Sequence, residues 1–88
     1  MIWPSDRAHS QITAIVPAYN EDRTIGEIIR LLVDSQLFYE VIAVTDGCTD
    51  RTAEVAREAG ADKVLPSPIR QGKGRAMREG ALAAQTPL

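Results

Sequence analysis

The sequence has few of the residues on which several protein classes depend. With one cysteine, Cys48, and one histidine, His9, it can form neither a disulfide framework nor a Cys- and His-rich zinc site. No apolar run approaches the roughly 20 residues that a membrane-spanning helix requires. The net charge is −2, whereas a dedicated nucleic-acid binder normally has a strong excess of basic residues. The remaining composition, 44% hydrophobic and 25% charged in 88 residues, is typical of a globular protein.

The N-terminal residues 1–10 are polar and contain Pro4, and they lack the apolar core of a signal peptide. We therefore interpret residues 1–10 as a polar arm and residues 11–88 as one globular unit. We expect the protein to be cytoplasmic, or to be the part of a membrane-associated protein that faces the cytoplasm.

Charge is unevenly distributed along the chain. Residues 1–60 hold ten acidic and five basic residues, whereas residues 61–88 hold two acidic and five basic ones. Four of these bases lie between Arg70 and Arg78 with no acid among them. Such a run is often a solvated helix face, but Gly72 and Gly74 inside it also suit an anion-binding loop.

The first apolar run and the segment after it predict a strand followed by a helix. Ile12–Val16 is rich in β-branched residues, and Pro17 is expected to end the strand. Thr24 and Glu27 then have capping-box spacing at the start of a helix. The helix is indicated by apolar residues at i, i+3, i+4, i+7 and i+8: Ile25, Ile28, Ile29, Leu32 and Val33.

The same plan is repeated twice. The nearly continuous apolar run 41–44 predicts a strand buried on both faces, and a helix is expected over about residues 51–59, with Thr49 or Asp50 as N-cap. A third strand near residues 63–65 precedes a helix over about residues 73–85. One face of this helix consists mostly of small residues and is expected to pack closely on the sheet: Ala76, Met77, Gly80, Ala81 and Ala84.

The predicted element order, β-α-β-α-β-α, indicates an α/β fold with a parallel sheet. Ligands of such sheets bind outside the carboxyl ends of the strands. Three loops, 17–23, 45–50 and 66–74, are expected at that edge and are the candidate site.

The loop after the second strand contains two carboxylates, Asp46 and Asp50. Asp46 could bind a nucleobase or ribose, whereas Asp50 fits an N-cap that holds the loop. The spacing does not match a calcium-binding EF-hand loop. Cys48 is a poor candidate nucleophile, because the only histidine lies in the N-terminal arm.

The third loop, with Lys73 between Gly72 and Gly74, suits a phosphate through bare amides, the helix dipole and an ammonium group. It lacks the spacing of a Walker A loop, and Met77 stands where a Rossmann fingerprint has its third glycine. In the first loop, Tyr19 could stack on a base or pack on the sheet edge.

Taken together, the motifs IVPAYNE, V-x-DG-x-TD-x-T and GKGxAM-x-x-G resemble the N-terminal half of the family 2-like glycosyltransferases, which have the GT-A fold, a Rossmann-like architecture. The resemblance covers about residues 11–85 and all three motifs in order. It implies transfer of a sugar from a UDP- or GDP-sugar. The donor-nucleotide residues that it implies are Pro17, Ala18, Asn20, Glu21, Thr45, Asp46 and Lys73.

The resemblance also implies a divalent metal, Mg²⁺ or Mn²⁺, that neutralises the leaving diphosphate. The D-x-D motif that holds this metal is absent, and we expect it just past Leu88, so that no metal ligand or catalytic residue lies in this chain. On this interpretation the 88 residues are a truncated GT-A domain, inactive alone. The acceptor cannot be inferred.

Two departures from the family pattern bear on the donor. Thr45-Asp46 stands where two adjacent acids are usual, which affects the contact to the base. Arg70 replaces a common Asn, and the Arg-x-Gly-Lys-Gly form is more similar to glucosyl-3-phosphoglycerate synthases than to polyprenyl-phosphate glycosyltransferases.

Two other functions are compatible with this α/β pattern. A sugar nucleotidyltransferase would need a Gly-, Arg- and Lys-rich loop after the first strand, which the segment 18–21 does not supply. A non-catalytic nucleotide-binding fragment would bind the donor without transferring the sugar.

Overall fold

The computed structural model describes residues 11–46, 51–67 and 72–86, and for residues 46, 67 and 73 it describes the backbone. The predicted alternation of strands and helices is confirmed. Its elements, in chain order, are β1 (Thr13–Ala18), α1 (Ile25–Ser35), β2 (Glu40–Asp46), α2 (Thr52–Glu58), β3 (Lys63–Ser67) and α3 (Lys73–Ala83). The predicted N-terminal arm lies outside the described residues.

The three strands form one parallel sheet in the order β1-β2-β3. The central strand β2 pairs along its length with β1, from Thr13 opposite Glu40 to Ala18 opposite Thr45. The residues 41–45 are almost completely buried. A strand covered on both faces explains why its apolar run is continuous rather than alternating.

The helices cover opposite faces of the sheet. Helices α1 and α2 pack on one face, where the buried core consists of Ala18, Ile25, Ile29, Val41, Ala43 and Ala56. Helix α3 packs on the other face, around Ile42, Val44 and Ala76. Within the described ranges, no helix has both the length and the apolar character needed to cross a membrane.

Helix α3 approaches β1 closely at Gly80. This glycine is buried, and a Cβ atom added to it would lie 2.5 Å from Cγ2 of Ile15. The close crossing of α3 and β1 therefore requires a small residue at position 80, in agreement with the predicted small-residue face of α3. Met77, which was included in that face, is instead 41% exposed.

The end of α3 is fixed at the amino edge of the sheet by the buried carboxylate of Glu40. This carboxylate accepts hydrogen bonds from the Thr13 hydroxyl at 3.0 Å and from the Gln85 amide, and it lies 3.4 Å from Lys63 Nζ. Burial raises the pKa of Glu40, but these partners outweigh burial and hold the pKa below its ordinary value. Lys63 Nζ also donates to the Ala83 carbonyl at 2.6 Å.

Three local predictions about strand and helix ends need correction. β1 continues through Pro17, which lies opposite Val44; β1 has one strand partner among the described residues, and edge strands tolerate a missing donor. Thr24 makes no side-chain capping bond, so the capping box is not formed. The N-cap of α2 is Arg51, so the prediction of Thr49 or Asp50, which lie outside the described residues, is wrong.

Candidate functional site

The carboxyl ends of the three strands lie side by side, as the parallel order requires. Ala18 at the end of β1 is opposite Thr45, and Asp46 at the end of β2 is opposite Ser67. Helix α3 follows β3 and begins at Lys73. The fold therefore directs all three predicted loops toward one edge of the sheet.

The first loop has a defined backbone conformation centred on Glu21. Its amide donates to the Thr52 hydroxyl at 2.8 Å, and its carbonyl accepts from the amides of Thr24 and Ile25 at 3.1 and 2.9 Å. Asn20 adopts a left-handed conformation with φ of 49°, which Asn tolerates better than most residues. The side chains of Asn20 and Glu21 are both exposed, and the Glu21 carboxylate accepts a hydrogen bond from the Tyr19 amide at 3.4 Å.

Two predicted site residues lie beneath the loops rather than on their surface. Ala18 is 3% exposed and Thr45 is 2% exposed. Neither side chain therefore presents surface to a ligand. Pro17 is half-buried in β1.

The third loop enters α3 through Gly72, whose φ of 96° is in the region that favours glycine. Lys73 is the first residue of α3, so its backbone lies at the end of the helix where the dipole attracts anions. A Cβ added at Gly74 would meet no atom of the described residues within 4 Å, so these residues leave the helix start open on that side. The first helical turn therefore offers space and favourable electrostatics for a phosphate.

Other parts of the predicted site lie outside the described residues. They comprise residues 47–50 of the second loop, including Cys48 and Asp50, and Arg70 of the third loop. Among the described residues, no group of three or more His, Cys, Asp or Glu side chains could hold a metal ion. The described residues therefore do not form a complete metal site by themselves.

Two residues that matter for this geometry were not predicted from the sequence. Thr52 is the last residue of the motif V-x-DG-x-TD-x-T, and no role was predicted for it beyond its place in that motif. It is fully buried and hydrogen-bonded to Glu21, 31 positions away. Gly26 lies in the first turn of α1, and a Cβ there would lie 3.1 Å from Val55 Cγ1, a close approach that helix propensity does not predict.

The family model described as glycosyl transferase family 2 matches residues 13–88. Over 56 residues, the chain is 43% identical to 4,4'-diaponeurosporenoate glycosyltransferase of Staphylococcus aureus. This match covers 64% of the chain and 15% of that protein. The chain thus spans less than a sixth of this curated relative.

Solved structures resemble the fold over most of the chain. The crystal structure of a mycobacterial protein matches with a TM-score of 0.73 and 36% identity, covering 91% of this chain and 29% of that one. Glucosyl-3-phosphoglycerate synthase of Mycobacterium tuberculosis matches with a TM-score of 0.72 and 33% identity, covering 91% of this chain and 33% of that one. That synthase has been crystallised with Mn²⁺, UDP-glucose and phosphoglyceric acid, and with Mg²⁺ and UDP.

Proposed function

Because the chain belongs to glycosyl transferase family 2, we propose that its three loops bind the donor of a glycosyl transfer reaction. The donor is a nucleoside diphosphate sugar, and UDP-glucose is the first candidate, since the solved synthase binds it. The observation that carries the proposal is that the strands leading into the three loops end side by side at the carboxyl edge of the sheet, where α3 also begins.

Different loops bind different parts of the donor. Asn20, Glu21 and Asp46 bind the base and ribose, supported from below by Pro17, Ala18 and Thr45. Lys73 and the first-turn amides of α3 bind the diphosphate, where an ammonium and the helix dipole both favour negative charge. This arrangement orients the donor so that its sugar faces the acceptor.

A divalent cation, Mn²⁺ or Mg²⁺, is part of the proposed reaction. When bound, it neutralises the charge of the diphosphate that leaves. The synthase complexes with Mn²⁺ and Mg²⁺ support this choice. Lys73 adds a positive charge at the N-terminal end of α3, and this charge does not depend on the metal.

The two named relatives differ in the acceptor that their names contain, diaponeurosporenoate in one and phosphoglycerate in the other. Both share the segment matched here, so that segment is proposed to specify the donor and not the acceptor. We place the reaction in the cytoplasm or at the cytoplasmic face of a membrane, in agreement with the sequence-based expectation.

Isothermal titration calorimetry tests the proposal. The protein is titrated with UDP, UDP-glucose and GDP-mannose, each with Mn²⁺ and with Mg²⁺. We expect binding of UDP, and a loss of affinity of about tenfold or more in Lys73→Ala and in Asp46→Ala, because each removes a charge-assisted hydrogen bond.

Arg57→Ala is the matched control for the loss of a cation. Arg57 lies in the last turn of α2, at the opposite end of the sheet from the loops, and this variant should bind like the wild type. Absence of binding for all three nucleotides, or equal losses in Arg57→Ala and Lys73→Ala, would refute the proposed donor site.

A further inference from the structure

We propose that Thr52 is a positioning residue of the donor site, which fixes the backbone of Glu21 and thereby the shape of the first loop. The inference rests on the proposed function, because it concerns the loop that is proposed to bind the base and ribose. It adds a residue whose side chain does not touch the donor.

The first step of the argument is the burial of Thr52. It is the first residue of α2, and it is 0% exposed. Its Oγ1 accepts the amide hydrogen of Glu21 at 2.8 Å, across 31 positions of the chain. A side chain without exposed surface cannot contact a nucleotide, and the hydrogen bond to the Glu21 amide connects Thr52 to the first loop.

The second step is the central place of the Glu21 peptide in the first loop. While its amide is held by Thr52, its carbonyl accepts from the amides of Thr24 and Ile25, where α1 begins. The preceding residue, Asn20, is held at a positive φ of 49°. Without the Thr52 acceptor, the loop has less to hold it in this sparsely populated conformation.

The third step is the close approach of α1 and α2, which brings the start of α2 next to the first loop. Gly26 in the first turn of α1 faces Val55, and a Cβ at Gly26 would lie 3.1 Å from Val55 Cγ1. The absence of this atom lets the start of α1 lie against α2. The Thr52 hydroxyl is thereby brought within reach of Glu21, and the second motif is coupled to the first.

Two substitutions test the hydroxyl group and the size of the Thr52 side chain separately. Thr52→Val keeps the size and removes the acceptor, which leaves the Glu21 amide without its partner. Thr52→Ser keeps the hydroxyl and removes a methyl group. Ile29→Val is the matched control for stability, because it removes one methylene from a fully buried side chain of the same core.

The readout is the affinity for UDP with Mn²⁺, measured by calorimetry below the melting temperature of every variant. We expect Thr52→Val to raise the Kd by about fivefold or more, because a smaller fraction of the protein has the competent loop. Thr52→Ser and Ile29→Val should stay within about twofold of wild type. A purely structural role would lower the affinity in Ile29→Val as much as in Thr52→Val.

Amide hydrogen exchange of the wild-type protein gives a second test that does not depend on folding of a variant. The Glu21 amide should exchange more slowly than an unstructured amide before any nucleotide is added. Exchange at the unstructured rate, or an affinity in Thr52→Val equal to wild type, overturns the role of Thr52 alone. Failure of the wild type to bind any nucleotide overturns the proposed function and, with it, this inference.

Discussion

Replacing Gly80 with alanine places a methyl group between α3 and the sheet where the structure has no room for it. The new Cβ would lie 2.5, 3.2 and 3.3 Å from three side-chain atoms of Ile15. Ordinary van der Waals contact begins at about 3.4 Å, so the shortest of these distances is 0.9 Å too small. The Cγ2 atom is attached close to the β1 backbone, and a rotation of the side chain cannot move all three atoms away.

Two opposing effects determine the change in unfolding free energy. Forcing an extra methyl group into a packed interface destabilises by about 1–3 kcal/mol. Alanine in place of glycine in a helix stabilises by about 1 kcal/mol. Since the Gly80 contact involves three atoms of a β-branched residue, we expect the steric effect to prevail and the net destabilisation to be about 1–2 kcal/mol. In a chain of this size, each kcal/mol lowers the melting temperature by about 4–8 °C.

A double-mutant cycle identifies Ile15 as the cause. In the background of Ile15→Ala, which removes all three close atoms, Gly80→Ala should stabilise by about 1 kcal/mol instead of destabilising. The resulting coupling energy is expected at about 2–3 kcal/mol, measured by urea denaturation. Gly74→Ala in the same helix is the matched control, because its Cβ meets nothing, and it should stabilise by about 0.4–1 kcal/mol.

The reasoning about this crossing would be refuted by a Gly80→Ala variant that is as stable as Gly74→Ala. It would also be refuted if Gly80→Ala had the same effect with and without Ile15. Either result would mean that α3 does not lie against β1 as closely as the structure describes.

Three further predictions concern other parts of the molecule. Gly72→Ala should lower the unfolding free energy by about 1–3 kcal/mol in urea denaturation, because φ is 96°; an unchanged stability would show that the loop readily adopts another conformation. Glu40→Gln should destabilise near neutral pH, and the difference from wild type should shrink as the pH falls below about 4.5. The sign follows from the lowered pKa of Glu40 in the folded state: the carboxylate stabilises the fold above its unfolded pKa, and protonation removes that contribution. A difference independent of pH would contradict the ionised cluster. Ile29→Ala, at a fully buried position, should lower the unfolding free energy by about 2–5 kcal/mol, and a loss below about 1 kcal/mol would contradict the assigned core.

The fold could be predicted where the local pattern and the long-range structure agree. The continuous apolar run of β2 predicted a strand buried on both faces, and residues 41–45 are buried. In α1, Ile25 and Ile29 are buried as the helical spacing predicted, whereas Ile28 at the margin of the stripe is 40% exposed. The helical spacing predicts which side of α1 is buried, but how much of that side is covered depends on the helix packed against it.

Features that depend on partners far along the chain could not be predicted. Glu40 and Thr52 are polar residues at the ends of elements, where the sequence pattern predicts solvent. Both are buried, and their partners lie 23 to 45 positions away for Glu40 and 31 positions away for Thr52. No local window contains both members of such a pair, so periodicity and capping rules carry no information about them. The packing of α3 on the face opposite α1 is hidden from the sequence for the same reason.

These two buried polar residues lie at opposite edges of the sheet, which makes their effects separable. Glu40 holds the end of α3 at the amino edge, away from the proposed donor loops, while Thr52 holds the Glu21 amide at the carboxyl edge. A substitution at Glu40 should therefore reduce stability with little change in donor affinity, provided that the contact of Gly80 with Ile15 keeps the start of α3 in place. A substitution at Thr52 should reduce affinity by more than its effect on stability explains. Equal weakening of UDP binding by Glu40→Gln and Thr52→Val would contradict this separation. It would mean that the position of α3 and the conformation of the first loop are coupled through the sheet.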